Sequence, residues 1–578
     1  MPIFNGTSGP DTFKGGGEID FISLNGGDDF GFGGGGNDII QGDDGNDRVD
    51  GEDGDDELFG GRDDDLVNGG NGNDRINGGS GRDVLTGGAG RDTFFLNADA
   101  DQIDGGEGTD TINAQLLGRS LTVNLTTGRI SAGGITTTVV GVENVIGSGA
   151  VDTLVGNAGE NELSGGRGDD VLIGEGEDDT LAGGQGADRL DGGAGIDVAD
   201  YEDAAAGVSL SLVSGGTGGE AAGDSFVGVE NVDGSNFNDF ITGDGGANRL
   251  FGDSGADTLK GGGGADDLSG GGDNDTLSGE DGDDRLNGGS GADSMTGGAG
   301  NDSYEVNDAG DRVSEQGGSG IDTVRSLVSF SLSGPNVQGS VENLTLVGFG
   351  NVDAVGNAGA NILIGNNGAN AINGNSGADR MQGLRGNDSY VVNETGDVVD
   401  ESGPNSNGID EILSFVSLSL SGPKVLGDVE NLRLAPGTAA LNAAGNGLDN
   451  VLVGNNGRND LMGLAGDDTL TGNGGQDTFV FNAALNAATN VDTITDFSVV
   501  DDTIRLENAF MPGLATGTLS AAAFRIGTTA IDATDRIIYN DDTGALFFDR
   551  DGNGAAAKVQ FATLDDGLAM SNQDFLVV

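Results

Sequence analysis

The chain has 578 residues and sets 25 Lys+Arg against 96 Asp+Glu, a formal charge of −71. That balance excludes a basic nucleic-acid-binding face and an anionic membrane surface as partners. With no Cys and no His there is no disulfide framework, no thiol chemistry and no Ser-His-Asp triad, and most zinc and copper sites are excluded.

The opening stretch MPIFNGTSGPDTFKGGG has neither a basic n-region nor an apolar h-region, so no Sec-type leader is expected there. No apolar run approaches the roughly 18 residues of a membrane span, so no transmembrane segment is expected. Residues 1–95 form a first repeat block. Asp11, Asp20 and Asp29 open a beat of nine, with degraded glycines, and Asp38, Asp47, Asp56, Asp65, Asp74, Asp83 and Asp92 continue it. Two residues after the latter come Ile40, Val49, Leu58, Val67, Ile76, Leu85 and Phe94. The unit is G-G-x-G-x-D-x-U-x, with U apolar.

The beat stops after Asp92 and restarts four times. An insert at 96–146 precedes block two (147–200), with Asp152, Asn161, Asp170, Asp179, Asp188 and Asp197. A second insert (201–233) precedes block three (234–306), with Asp239, Asn248, Asp257, Asp266, Asp275, Asp284, Asp293 and Asp302. A third insert (307–356) precedes block four (357–396), with Asn361, Asn370, Asp379 and Asp388. A fourth (397–444) precedes block five (445–481), with Asn450, Asn459, Asp468 and Asp477. An amide offers one oxygen but no charge, so the asparagine ends should hold cations less well. Each insert opens on a repeat-like turn, alternates like strands, as in SLTVNL and VSFSLS, and closes on Val-Glu-Asn at 142–144, 229–231, 341–343 and 429–431. That tripeptide reads as the return to the solenoid rather than as a ligand motif.

A three-residue strand such as Arg75-Ile76-Asn77 turns one side chain inward, and the glycines then reverse the chain. One unit cannot bury its apolar residue alone, so units must stack, two to a coil. Residues eighteen apart then lie roughly 4.8 Å apart, at strand spacing. Asp74 sits over Asp56, and bare carboxylates at that spacing repel. A divalent cation between coils turns the clash into a ligand pair. Ligands that are all hard oxygens favour Ca²⁺ over Mg²⁺ and Zn²⁺. A disordered acidic spacer would not keep phase over so many units, and a metal-free solenoid would leave the carboxylates uncompensated.

These repeats resemble the RTX (haemolysin-type) calcium-binding nonapeptide, a family that folds as a parallel β-roll. The resemblance implies an all-β protein: several Ca²⁺-stabilised β-roll blocks interrupted by β-rich inserts. It also implies that the block aspartates from Asp38 to Asp477, Asp152 and Asp239 apart, chelate several calcium ions. Carried over, Gly69, Gly72 and Asp74 share an ion with Gly87, Gly90 and Asp92.

From 482 to 578 glycine thins out and phenylalanine clusters. DTITDF (492–497), RIIYNDDTGALFFDRDGNG (536–554) and the final DFLVV resemble the C-terminal region of type I-secreted, serralysin-like proteins. That resemblance implies a capping region that carries an uncleaved signal for an ABC exporter. Asp549-Arg550-Asp551-Gly552-Asn553-Gly554 matches half an EF-hand loop, but position twelve is Gln560 and the flanks look like strands, so a β-turn is expected. HExxH, nucleophile-elbow and phosphate-loop motifs are all missing. The chain therefore reads as a secreted, non-catalytic calcium-binding protein with a surface, matrix, adhesion or host partner. The alternative is a polysaccharide-acting enzyme or toxin-like activity within the inserts, hinted at only by Arg119 and Arg129.

Overall fold

The computed structural model describes residues 2–404 and 406–578. Its contacts divide the chain into two compact units, Met1–Asp302 and Ser303–Val578. Among the described residues there is no α-helix, only single 3₁₀ turns at Gly219–Ala221 and Asn572–Asp574. The architecture is a parallel β-roll.

In the first unit, strands alternate between two faces. Ile39–Asp44, Glu57–Arg62 and Arg75–Ser80 pair in parallel on one, and Arg48–Asp53, Leu66–Asn71 and Val84–Ala89 on the other. The register is eighteen residues: Leu58 faces Ile76, and Val67 faces Leu85. Ile40, Leu58, Ile76 and Phe94 form one buried column, and Val49, Val67 and Leu85 the other. Full burial of such a side chain is worth about 1.5–3 kcal/mol, and every coil repeats it.

The strands are longer than the three residues expected. Arg75–Ser80 spans six, because Gly79 still pairs with Gly61 after the inward residue. Two positions of the repeat turn take positive φ, glycines at Gly70 (113°) and Gly72 (133°), although Glu52 (66°) and Asp63 (73°) hold such places in neighbouring turns. The first glycine is needed for space: a Cβ on Gly69 would stand 2.2 Å from Asp74 Oδ2 and 2.4 Å from the Gly87 carbonyl oxygen.

The inserts stay within the ladder. Thr111–Asn113 pairs directly with Asn144–Ile146, so one face of the roll passes the first insert without a break. On the other face the insert contributes an antiparallel meander, Leu121–Asn124, Arg129–Ala132 and Ile135–Val140. Its outer strands pair in parallel with Thr153–Val155 and Gln102–Glu107. The second insert adds one antiparallel hairpin, Ser209–Ser211 with Gly215–Gly218.

In the second unit Thr323–Ser326, Asn343–Leu346, Ile362–Ile364 and Arg380–Gln382 pair in parallel around Val324, Leu344, Leu363 and Met381. The C-terminal segment closes with antiparallel strands Ile537–Asn540, Ala545–Phe548 and Val559–Thr563. Phe561 meets Phe481 edge-on at 5.0 Å. The Asp549–Gly554 stretch connects two of these antiparallel strands, and Gln560 lies within the second.

Candidate metal centre

The aspartate follows the turn and precedes the inward apolar residue by two, so the pleat sends its side chain back under the turn. In the first columns Asp38, Asp47, Asp56, Asp65, Asp74, Asp83 and Asp92 each accept, through Oδ1, the backbone N–H of the residue eighteen positions earlier. Asp170, Asp179, Asp188 and Asp197 do the same in block two. Asp257, Asp266, Asp275, Asp284, Asp293 and Asp302 follow in block three, and Asp379, Asp388, Asp468 and Asp477 in the last two blocks. These bonds run from 2.6 Å (Asp38 N–H to Asp56) to 2.9 Å (Asp65 N–H to Asp83). All these carboxylates are buried.

The second oxygen is the informative one. Oδ2 of Asp38, Asp47, Asp56, Asp65, Asp74, Asp83 and Asp92 is buried with no hydrogen-bond partner, and the same holds at Asp170, Asp188, Asp266, Asp284, Asp379 and Asp477. Leaving one such acceptor unsatisfied costs about 1–3 kcal/mol, more when it is charged. Burial pushes Asp56 up to about 7, opposed by the Asp38 N–H and reinforced by the Asp74 and Asp38 charges. Asp65 is pushed to about 8 and Asp74 to about 6, again chiefly by burial.

Asp74 Oδ2 and the Gly87 carbonyl crowd the Gly69 Cα, so Gly69, Asp74 and Gly87 share one cleft. Gly72 and Gly90 lie at the next point of the turn, where a Cβ on Gly90 would stand 1.9 Å from the Gly72 carbonyl oxygen. Orphaned carboxylate oxygens beside carbonyl oxygens, with no nitrogen or sulfur donor, fit a hard divalent cation.

Not every turn leaves an oxygen free. At Asn161, Asn361, Asn370, Asn450 and Asn459 the side-chain oxygen accepts the N–H of the residue four earlier, at 2.7 or 2.8 Å. Their amide nitrogens donate to backbone carbonyls, as Asn459 does to Leu441 at 2.7 Å. Ser148 and Ser235 close the turns of Asp152 and Asp239 in the same way, through backbone N–H and hydroxyl. These turns satisfy themselves without a cation.

The ladder also reaches carboxylates outside the blocks read from the sequence, two of them because the beat of nine runs on past Asp92. Asp101 and Asp110 extend the first columns in phase. Asp224 takes a rung thirty-six residues after Asp188, still in phase, and Asp410, Asp492 and Asp502 take rungs out of phase, across longer connections. The four insert glutamates are rungs too. Glu143, Glu230, Glu342 and Glu430 each accept through Oε2 the N–H of an aspartate, at 2.8 or 2.9 Å.

Eleven segments, several of them overlapping, from 5–40 through 77–112, 146–199 and 233–304 to 355–390 and 445–482, match the family described as "RTX calcium-binding nonapeptide repeat (4 copies)". Together they cover more than half of the chain. The chain belongs to this RTX repeat family. No curated protein matches the RTX chain. Among solved structures, the extracellular lipase LipA from Serratia marcescens aligns with 60% of this chain and 40% of its own, at 13% identity and a TM-score of 0.09. The RTX chain thus spans under half of that lipase, and the alignment carries no argument. Among the described residues, no helix is long and apolar enough to cross a membrane.

Proposed function

We propose that this RTX protein is a secreted, non-catalytic calcium binder that folds when it meets extracellular Ca²⁺ and then serves surface, matrix, adhesion or host contacts. The observation that carries the reading is the column of buried carboxylate oxygens without hydrogen-bond partners. Asp38 to Asp92, with their counterparts in the later blocks, would hold the ions together with turn carbonyls such as that of Gly87. Bound calcium would supply the positive charge that neutralises successive rungs.

With a Kd of ~10⁻⁴ M and ~1 mM Ca²⁺, each site adds on the order of 1.4 kcal/mol. The gain opposes the self-repulsion of a chain with charge −71 and the ordering entropy of its 116 glycines. Where Ca²⁺ is scarce the chain stays open and fits a type I exporter. The 482–578 region, resembling serralysin-like C-termini, would be the signal it reads.

The test is far-UV circular dichroism of EDTA-stripped protein titrated with Ca²⁺, with Mg²⁺ as control. A cooperative coil-to-β transition with Ca²⁺ alone supports the reading. A β-rich spectrum in EDTA that ignores Ca²⁺ removes it.

A further inference from the structure

One buried carboxylate cluster in the second unit is not explained by the nonapeptide. The segments SYEVNDAGDRVSE (303–315) and SYVVNETGDVVDE (389–401) share a tyrosine at the inward apolar position and a glutamate eleven residues on. In both, the phenol hydroxyl donates to the glutamate: Tyr304 to Glu315 and Tyr390 to Glu401. Glu401 lies eighteen residues after Gly383 and so occupies the place of a first turn glycine. At the glycine turns that place has no room for a side chain, as the Gly69 contacts show.

Here the side chain turns inward. Glu401 is 5% exposed, and Asp388 and Asp410 are each 2% exposed. Oε1 of Glu401 accepts the Gly383 N–H at 3.0 Å as well as the Tyr390 hydroxyl. A Cβ on Gly383 would stand 2.1 Å from Asp388 Oδ2 and 2.3 Å from the Tyr390 hydroxyl oxygen, so these groups converge on one point. Asp410 joins them, accepting the Asp388 N–H at 2.8 Å. The neighbouring guanidinium of Arg380 pairs with Asp400, not with Glu401. Oε2 of Glu401 and Oδ2 of Asp388 are buried with no hydrogen-bond partner.

A glutamine would meet the same two donors through its oxygen. What a glutamate adds is a charge and a second acceptor, here buried close enough to Asp388, whose Oδ2 is orphaned too, for the two charges to interact. Such a pair is costly in a dry interior unless a cation lies between. We propose that Glu401, Asp388 and Asp410 form a divalent-cation site of their own at the exit of block four, with Tyr390 as the positioning residue that aims Glu401. The all-oxygen, three-carboxylate donor set suits Ca²⁺. The inference rests on the calcium-ladder reading to the extent that Asp388 belongs to both.

Terbium, which replaces calcium in oxygen sites, tests it in the full-length protein with excitation in the tyrosine band. Tyr390→Phe removes the sensitiser and Glu401→Gln the ligand, so both variants lose the same share of terbium emission and the double variant loses no more. Glu401→Asp keeps the charge at shorter reach and also weakens that emission, which covers a Gln variant that fails to fold. Wild-type emission in Glu401→Gln overturns the proposal. It would mean either that the ladder carboxylates alone hold the ion near Tyr390 or that a shared proton replaces it. Wild-type emission in Tyr390→Phe overturns it as well. Atomic spectroscopy of the calcium-dialysed wild type separates the readings: no bound calcium removes the ladder and this site together, whereas bound calcium with unchanged variant emission removes only this site.

Discussion

Asp74→Asn isolates the electrostatic argument from packing. The substitution keeps the shape and keeps Oδ1 as acceptor for the Asp56 N–H at 2.8 Å. It replaces the orphaned Oδ2 with an amide nitrogen beside the Gly87 carbonyl. Without divalent cation, removing the unsatisfied buried acceptor should stabilise the roll by about 1–3 kcal/mol. With calcium, the variant forfeits one ligand set, so the increment from EDTA to ~1 mM Ca²⁺ should shrink by about 1.4 kcal/mol. Urea unfolding followed by far-UV circular dichroism in both conditions measures the two quantities. An excluded osmolyte supports the metal-free state where it is too weak to fold unaided. The triple variant Asp56→Asn/Asp74→Asn/Asp92→Asn enlarges both effects along one column. A variant less stable in EDTA, or one with an unchanged calcium increment, would refute the reasoning, since a residue serving only packing would lose stability equally in both.

The raised carboxylates give a pH dependence whose sign depends on calcium. Without it, Asp56, Asp65 and Asp74 keep their protons to about 7, 8 and 6 when folded but only to the ordinary 3.8 when unfolded, so stability falls as pH rises across that window. With Ca²⁺ saturating, protons compete with the ion and stability rises over the same range, which urea midpoints from pH 4 to 8 would show. Gly72→Ala puts a Cβ 1.9 Å from the Gly54 carbonyl oxygen at φ 133°, and should cost more than about 1 kcal/mol in EDTA and Ca²⁺ alike, read by the same unfolding assay. Ile76→Ala, in the fully buried column, should cost about 2–5 kcal/mol with no change in calcium stoichiometry by atomic spectroscopy.

Much of this structure is legible because the period is strict. A beat of nine with an apolar residue two places later specifies parallel strands, an eighteen-residue register and a carboxylate under each turn. The length of the strands was not legible, since Gly79 looks like turn and yet pairs with Gly61. The asparagine turns were read as weaker cation sites. The structure adds what the missing charge alone does not tell: the amide satisfies its own turn through hydrogen bonds that a three-dimensional arrangement, not a spacing, creates. The Val-Glu-Asn glutamates take rungs of the ladder from connections of different length, and Asp492 and Asp502 do so out of phase. Tyr201 was invisible for the same reason: its hydroxyl reaches Asp224 Oδ2 at 2.7 Å from twenty-three residues away.

A ladder of identical rungs has no address. Slipping a block by one coil moves aspartate onto aspartate and leucine onto isoleucine, so neither the core nor the cations resist the error. Resistance comes where a column must meet Glu143, Glu230, Glu342 or Glu430, whose side chain is one methylene longer and whose backbone leaves an insert. Each of these glutamates works as a bookmark, fixing which turn of a monotonous chain belongs above which.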